Sequence, residues 1–212
     1  EIYTLSLHDA IPISIYNEYM KALQTRASRR DYDSTKELTP SQLSGLLWSA
    51  YRNNREHEKR TPHTFLSYKT VASTCAAYPF TIYVFYKSGI YKYDPENNEL
   101  IFVKEGDYME KTGGQDFVKN ASVNLYWVCD YTPMKNHPAQ RCNEWFHQDN
   151  NMLRAACFDA GISSHSVYMY CETHGLKTCV RGWAGDVQEM KKVIGCDEIE
   201  IGRAVQQECR DR

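Results

Sequence analysis

Leu43, Leu46, Leu47, Ala50 and Tyr51 recur at i, i+3, i+4, i+7 and i+8, the stripe expected of a helix that buries one face. Ahead of them Thr39, Pro40 and Gln42 occupy the N-cap, first and third helical positions. That is a capping box, with proline where no N–H is needed. Ile15, Tyr16, Tyr19, Met20 and Leu23 repeat at the same period and predict a helix ending near Gln24. Met152, Ala155, Ala156, Ala160, Val167, Tyr168, Tyr170 and Cys171 predict a long helix from residue 151 to about 174, with His174-Gly175 at its C-terminus. Residues 187–194 read as a last amphipathic helix.

Between these lie segments of a different period. Residues 81–86 (TIYVFY) are rich in β-formers, and GIYKYDPENNELIFV alternates around a DPENN turn, which predicts a hairpin. Residues 121–130 (ASVNLYWVCD) are almost wholly apolar, as a central strand buried on both faces must be. Residues 176–180 form a further short strand. Residues 52–72 and 131–150 are polar and irregular, and read as a loop and a surface excursion. Helices and strands interleave but the hairpin breaks a parallel pattern, so the fold class is α+β, with a central mixed, mainly antiparallel sheet flanked by helices.

Composition narrows this picture in three ways. The chain has 212 residues, enough for one ordinary domain. A formal charge of -2 supplies no global attraction to nucleic acid or an anionic membrane, and no run approaches the roughly 20 apolar residues of a membrane span. Eight cysteines without a CxxC pair read as free thiols in a reducing compartment, so the expected location is cytoplasmic. Cys171 and His174, with Cys179 beyond, have ligand-like spacing but lack the second half of a quartet, so no metal is expected. EIYTLSLHDAIPIS has no basic start, long apolar core or small-residue cleavage site. Residues 1–14 are therefore set apart as a non-native or disordered segment, an exported form with a lost signal being the alternative. Residues 15–205 form the domain and 206–212 an irregular tail.

The stretch TRASRRDYD, residues 25–33, crowds cations into a chain with no net basic character. Arginine forks, a hydroxyl and backbone N–H groups at a helix end suit a phosphate. Arg26, Ser28 and Arg30 alternate, so an extended segment would project them to one side, with Arg29 and Asp31 on the other in surface pairing. A solvated charged turn is the competing reading.

The order of motifs decides between them. Arg26-Ala27-Ser28-Arg29-Arg30 resembles the R-x-S-x-R motif of the FMN-dependent nitroreductase family. Leu43-x-x-Leu46-Leu47-Trp48-Ser49-Ala50 is similar to its L-x-x-L-L-W-A-A helix, and residues 73–79 (STCAAYP) resemble its S-A-x-A-x-Y-P loop. Residues 113–130 and 160–182 are similar to its later strand, dimer helix and exit strand, particularly in the branch that includes thiazoline/oxazoline dehydrogenases. Arg52, His165, Ser166 and residues 61–72 depart from the pattern, and Ala76 stands where many members carry a flavin-bonding asparagine.

The resemblance implies a three-layer α/β/α fold and a homodimer whose interface includes residues 151–174. It implies FMN held by Arg26, Ala27, Ser28, Arg30, Ser73 and Arg181. It also implies hydride transfer from NAD(P)H to a small electron-poor molecule in a ping-pong cycle, with no catalytic side chain. A peptide-heterocycle dehydrogenase and a flavin-free interaction protein on the same scaffold are the alternatives. Trp48, Tyr168 and Cys171 read as packing residues, and Arg181 as a cofactor contact or a surface salt bridge.

Overall fold

Strand β6 (Val123–Cys129) is buried along its whole length, as its apolar run requires, and the sheet is built outward from it. A computed structural model of the chain describes residues 17–55, 68–182, 186–196 and 205–211. The segment 1–14 expected to be non-native or disordered, the first turn of the predicted first helix and most of the 52–72 loop fall outside the described residues.

On one side β6 pairs with β3 (Phe80–Tyr86), then β4 (Gly89–Asp94) and β5 (Glu99–Glu105), the predicted hairpin. On the other it pairs with β8 (Val205–Asp211), which in turn pairs with β7 (Leu176–Arg181). The order is β5-β4-β3-β6-β8-β7. Every described pairing is antiparallel, so the sheet expected to be mixed is antiparallel throughout, while the α+β class stands. The tail expected to be irregular from 206 is a strand to Asp211. Its ladder to neighbours on both sides supplies the order that its polar sequence, VQQECRD, does not announce.

Side-chain alternation divides the core into two layers. Phe80, Ile82 and Val84 with Val123, Leu125, Trp127 and Cys129 face α2 (Pro40–Tyr51) and α5 (Asn151–Thr173). Tyr83, Phe85, Tyr126 and Val128 face Met109 and the α6 residues Met190 and Ile194 (α6, Val187–Ile194). Helix α2 begins with the predicted capping box. Gln42 N–H donates to Thr39 Oγ1 at 3.2 Å, and Thr39 N–H to Gln42 Oε1 at 2.8 Å. It crosses α5 closely at Gly45, where a Cβ would run into the Tyr170 ring, 2.7 Å from its Cζ.

Helix α1 (Glu18–Thr25) packs on α5 but buries only Ala22, leaving Tyr19, Met20 and Leu23 exposed. The polar excursion at 131–150 is not irregular. It contains α3 (Thr132–Lys135) and α4 (Gln140–Phe146), started by Asp130 Oδ1, which accepts the Thr132 N–H at 2.8 Å, and pinned by buried Met134 and Phe146. Inside the expected 52–72 loop, β1 (Asn53–Arg55) pairs with β2 (Tyr68–Lys69) as a small ribbon.

Candidate functional site

Helix α1 stops at Thr25 because Arg26, its C-cap, leaves helical geometry (φ -53, ψ 125) while its N–H still reaches Ala22 O at 2.8 Å. The chain then runs back along the outer edge of β7. Arg29 N–H donates to Thr178 O at 3.0 Å, and Lys177 Nζ donates to Asp31 O at 2.6 Å and Oδ2 at 2.7 Å. That lysine holds the Asp31 carboxyl below its usual range.

Tyr168, projecting from α5, organises the middle of the segment. Its hydroxyl accepts the Val180 N–H at 2.9 Å and lies 2.7 Å from Ser28 Oγ, while the Arg26 guanidinium sits 5.1 Å from its ring centroid. With Val180 as donor to it, the tyrosine O–H can donate to Ser28 Oγ, which frees the serine proton for an acceptor outside. Among the described residues neither Arg26 nor Arg30 is paired with a carboxylate.

The structure brings Arg26, Ala27 and Ser28 together and separates the other expected residues. Arg30 does not share their side: its guanidinium lies over Phe117, 5.9 Å from the centroid. Simple alternation fails because the segment is tied to β7 only at Arg29 and Asp31 and forms no described ladder that would enforce it. Arg29, expected on the surface, turns back to donate to Thr25 O at 3.4 Å. Arg181, expected as a cofactor contact or a surface salt bridge, is buried and donates to Thr112 O at 3.2 Å, which is not the surface setting of the second reading. Strand alternation puts its side chain on the sheet face opposite Leu176 and the α5 layer.

Ser73 belongs to a second cluster. Its hydroxyl donates to Asp159 Oδ2 at 2.5 Å, and Asp159 Oδ1 accepts the Thr74 N–H at 2.9 Å and the Thr74 hydroxyl at 2.8 Å. Asp159 is buried on α5, nine positions before Tyr168, so the clusters lie about 13 Å apart along the helix. The loop it anchors is strained. Cys75, Ala76 and Tyr78 all adopt positive φ (53, 54 and 46), a region costly for residues with a Cβ. Three further bonds fix it: Tyr78 N–H to Ser73 Oγ at 2.8 Å, His137 Nε2 to Cys75 O at 2.9 Å, and Ala139 N–H to His137 Nδ1 at 3.1 Å. Because Nδ1 accepts, the proton of neutral His137 resides on Nε2.

Lys69 stands beside this loop. Its Nζ donates to Asn53 Oδ1 at 2.7 Å and lies 4.6 Å and 5.6 Å from the ring centroids of Tyr51 and Tyr78. Burial lowers its pKa to about 8, against the opposing pull of Asp94 and Glu96.

Sequence reasoning took Tyr168 for a packing residue and passed over Asp159, His137 and Lys69. One signal was available: Asp159 interrupts the apolar stripe of Ala155, Ala156 and Ala160, and a carboxylate there demands partners.

Residues 23–205 match the family model described as the nitroreductase family. The crystal structure of a protein assigned as a nitroreductase from Ralstonia eutropha aligns with TM-score 0.72 at 26% identity, covering 91% of this chain and 82% of that one. The Escherichia coli microcin synthetase complex with a truncated pro-MccB17 bound aligns with TM-score 0.63 at 15% identity, covering 100% and 74%. The NADPH:FMN oxidoreductase of Vibrio harveyi, complexed with NAD+, gives 0.56 at 13% identity, covering 92% and 69%. At such identities the last two bear on fold alone. No curated protein matches the chain.

Proposed function

The chain belongs to the nitroreductase family, and from that premise we propose that it is an FMN-dependent NAD(P)H oxidoreductase acting on a small electron-poor acceptor such as a nitroaromatic or quinone. One observation carries the reading. Arg26 and Ser28 meet on Tyr168 with no described carboxylate to neutralise the arginine, as a phosphate socket requires. These residues fit the phosphate end of FMN. Arg30 on Phe117 and Arg181 on Thr112 do not join them in this arrangement. FMN held there would supply the hydride chemistry of a ping-pong exchange between nicotinamide and acceptor. The chain's own residues hold the phosphate and present the rigid 73–78 loop.

The strained loop lies about 13 Å along α5 from the socket, so a second copy is the natural source of the remaining flavin contacts. Exposed Trp48, Phe158 and Ile162, with Tyr19, Met20 and Leu23 of α1, supply an apolar surface for a homodimer. A peptide-heterocycle dehydrogenase is the second reading, supported by the sequence resemblance to the branch that includes thiazoline/oxazoline dehydrogenases; the microcin synthetase complex shares the fold.

Visible absorbance of the purified protein and titration with FMN test the proposal. Flavin bands, micromolar or tighter binding and NAD(P)H-dependent reduction of a quinone are expected. Colourless protein that leaves FMN fluorescence unchanged overturns the reading in favour of a flavin-free interaction protein.

A further inference from the structure

Leu38, just ahead of α2, Leu43 and Leu47 within it, and Leu100 of β5 wall a largely apolar cavity of about 420 Å³. That volume is at the small end of the roughly 300–1,000 Å³ of sites that hold drug-sized molecules. None of its lining residues belongs to the phosphate socket or to the 73–78 loop.

Polar groups on the lining are few, and one of them ties the walls together. Asn98, in the turn between β4 and β5, takes a left-handed backbone (φ 59), which asparagine tolerates. Its Oδ1 accepts the Tyr93 hydroxyl at 2.8 Å and its Nδ2 donates to Ser44 Oγ at 2.8 Å, a bridge from the hairpin to α2. The bridge uses the Ser44 oxygen as an acceptor and leaves the serine proton, which no described residue takes. The Tyr86 hydroxyl, also on the lining, has no hydrogen-bond partner among the described residues, and its ring meets Tyr91 edge-on at 5.8 Å. Burial, with Tyr91 and Glu37 acting in the same direction, raises Tyr86 to about 12, so at neutral pH it remains a donor. No lysine, arginine or histidine lines the cavity, and the Glu37 carboxylate that acts on Tyr86 opposes a negative ligand.

We propose that this cavity is a binding site for a small neutral carbonyl compound, a ketone or ester, with its hydrocarbon part against the leucines and its carbonyl oxygen accepting from the Ser44 or Tyr86 hydroxyl. The leucines take the hydrocarbon out of water. The hydroxyls offer protons, and a carbonyl oxygen offers only lone pairs. A carboxylate would lose its hydration there and meet no cation. The cavity exists whether or not flavin binds, so its test is separate from that of the proposed oxidoreductase activity.

Saturation-transfer NMR of the full chain with benzylacetone tests the site, with hydrocinnamate as the carboxylate of the same shape and propylbenzene as the hydrocarbon. Benzylacetone is expected to bind with a dissociation constant of about 1 mM or below, the range open to so small a ligand. Hydrocinnamate should bind at least roughly tenfold more weakly. Ser44→Ala combined with Tyr86→Phe should weaken benzylacetone roughly tenfold and leave propylbenzene unchanged. Leu100→Trp, which fills the cavity, should abolish binding of both, and saturating FMN should alter neither. No saturation by about 10 mM benzylacetone, equal affinity for hydrocinnamate, displacement by FMN, or a double variant that holds the ketone as the parent does overturns the proposal. The parent's ligand order and the hydroxyl variants decide the matter even if Leu100→Trp does not fold.

Discussion

The 73–78 loop and the 25–31 segment flank the same helix, α5, and are held by opposite means. The loop is over-determined: a buried carboxylate, a serine and a histidine fix three residues in positive φ. The segment is under-compensated: one backbone bond and the Lys177 ammonium, bonded to the carbonyl and carboxylate of Asp31, hold it to β7, and Arg26 and Arg30 meet rings where carboxylates would be expected. Shape is stored in the first region and charge in the second. A site built this way separates positioning, which needs rigidity, from anion capture, which needs cations left without a counter-charge.

The sharpest way to break the contrast is Asp159→Ala. It removes the acceptor of three hydrogen bonds in a buried setting, and a loss of about 3–4 kcal/mol in urea unfolding is expected. A loss under about 1 kcal/mol would show that the loop holds itself. Arg26→Ala tests the other region. FMN affinity by fluorescence titration should fall roughly ten- to a hundredfold, with less loss for Ser28→Ala. Arg29→Ala, which turns back to Thr25, should change little, and equal losses at Arg26 and Arg29 would return the stretch to a charged turn.

Lys69 adds a pH axis to the loop side. Its folded pKa of about 8 lies below the ordinary 10.5, so between those values the unfolded chain holds the proton and the folded chain releases it. Stability contributed by this group therefore rises with pH across that window. The gain is about 1–2 kcal/mol, discounted for solvent reaching a half-buried amine and for the two tyrosine faces that favour the cation. Lys69→Met should remove the rise relative to the parent, and matching urea-unfolding slopes from pH 8 to 10 would rule it out. Smallest of all, Asp31→Asn should cost no more than about 0.5 kcal/mol, because its pair with Lys177 is exposed on the aspartate side.

What the sequence disclosed followed from locality. The α2 capping box and its apolar stripe are decided within a dozen neighbouring residues, and the structure repeats them position for position. Strand β6 was legible because burial on both faces demands an unbroken apolar run. Strand β8 was not, since VQQECRD gains its order from partners on either side. Helices α3 and α4 were hidden by polar composition and depend on Met134 and Phe146 reaching the core. At the candidate site, the meeting of Arg26 and Ser28 on Tyr168 follows from spacing, whereas the departures of Arg30 and Arg181 depend on rings and carbonyls remote in sequence. Tyr168 and Asp159 were masked by belonging to a helix whose other residues simply pack.

The place of β8 between β6 and β7 has a consequence for the order of assembly. Strand β7 precedes β8 in the chain, yet among the described residues its only ladder within the sheet is to β8. Nothing docks β7 against β6 until residues 205–211 have arrived, and that closure spans some eighty residues back to β6, a slow, non-local event. The 25–31 segment leans on β7 through Thr178 and Lys177, so a feature near the start of the chain rests on a strand that the last described residues join to the sheet. The rigid loop at 73–78 is anchored on Asp159 of α5 and on His137, both nearer to it in sequence. The two halves of the candidate site therefore differ in how far along the chain their supports lie, and the cation-bearing half depends on the more distant ones.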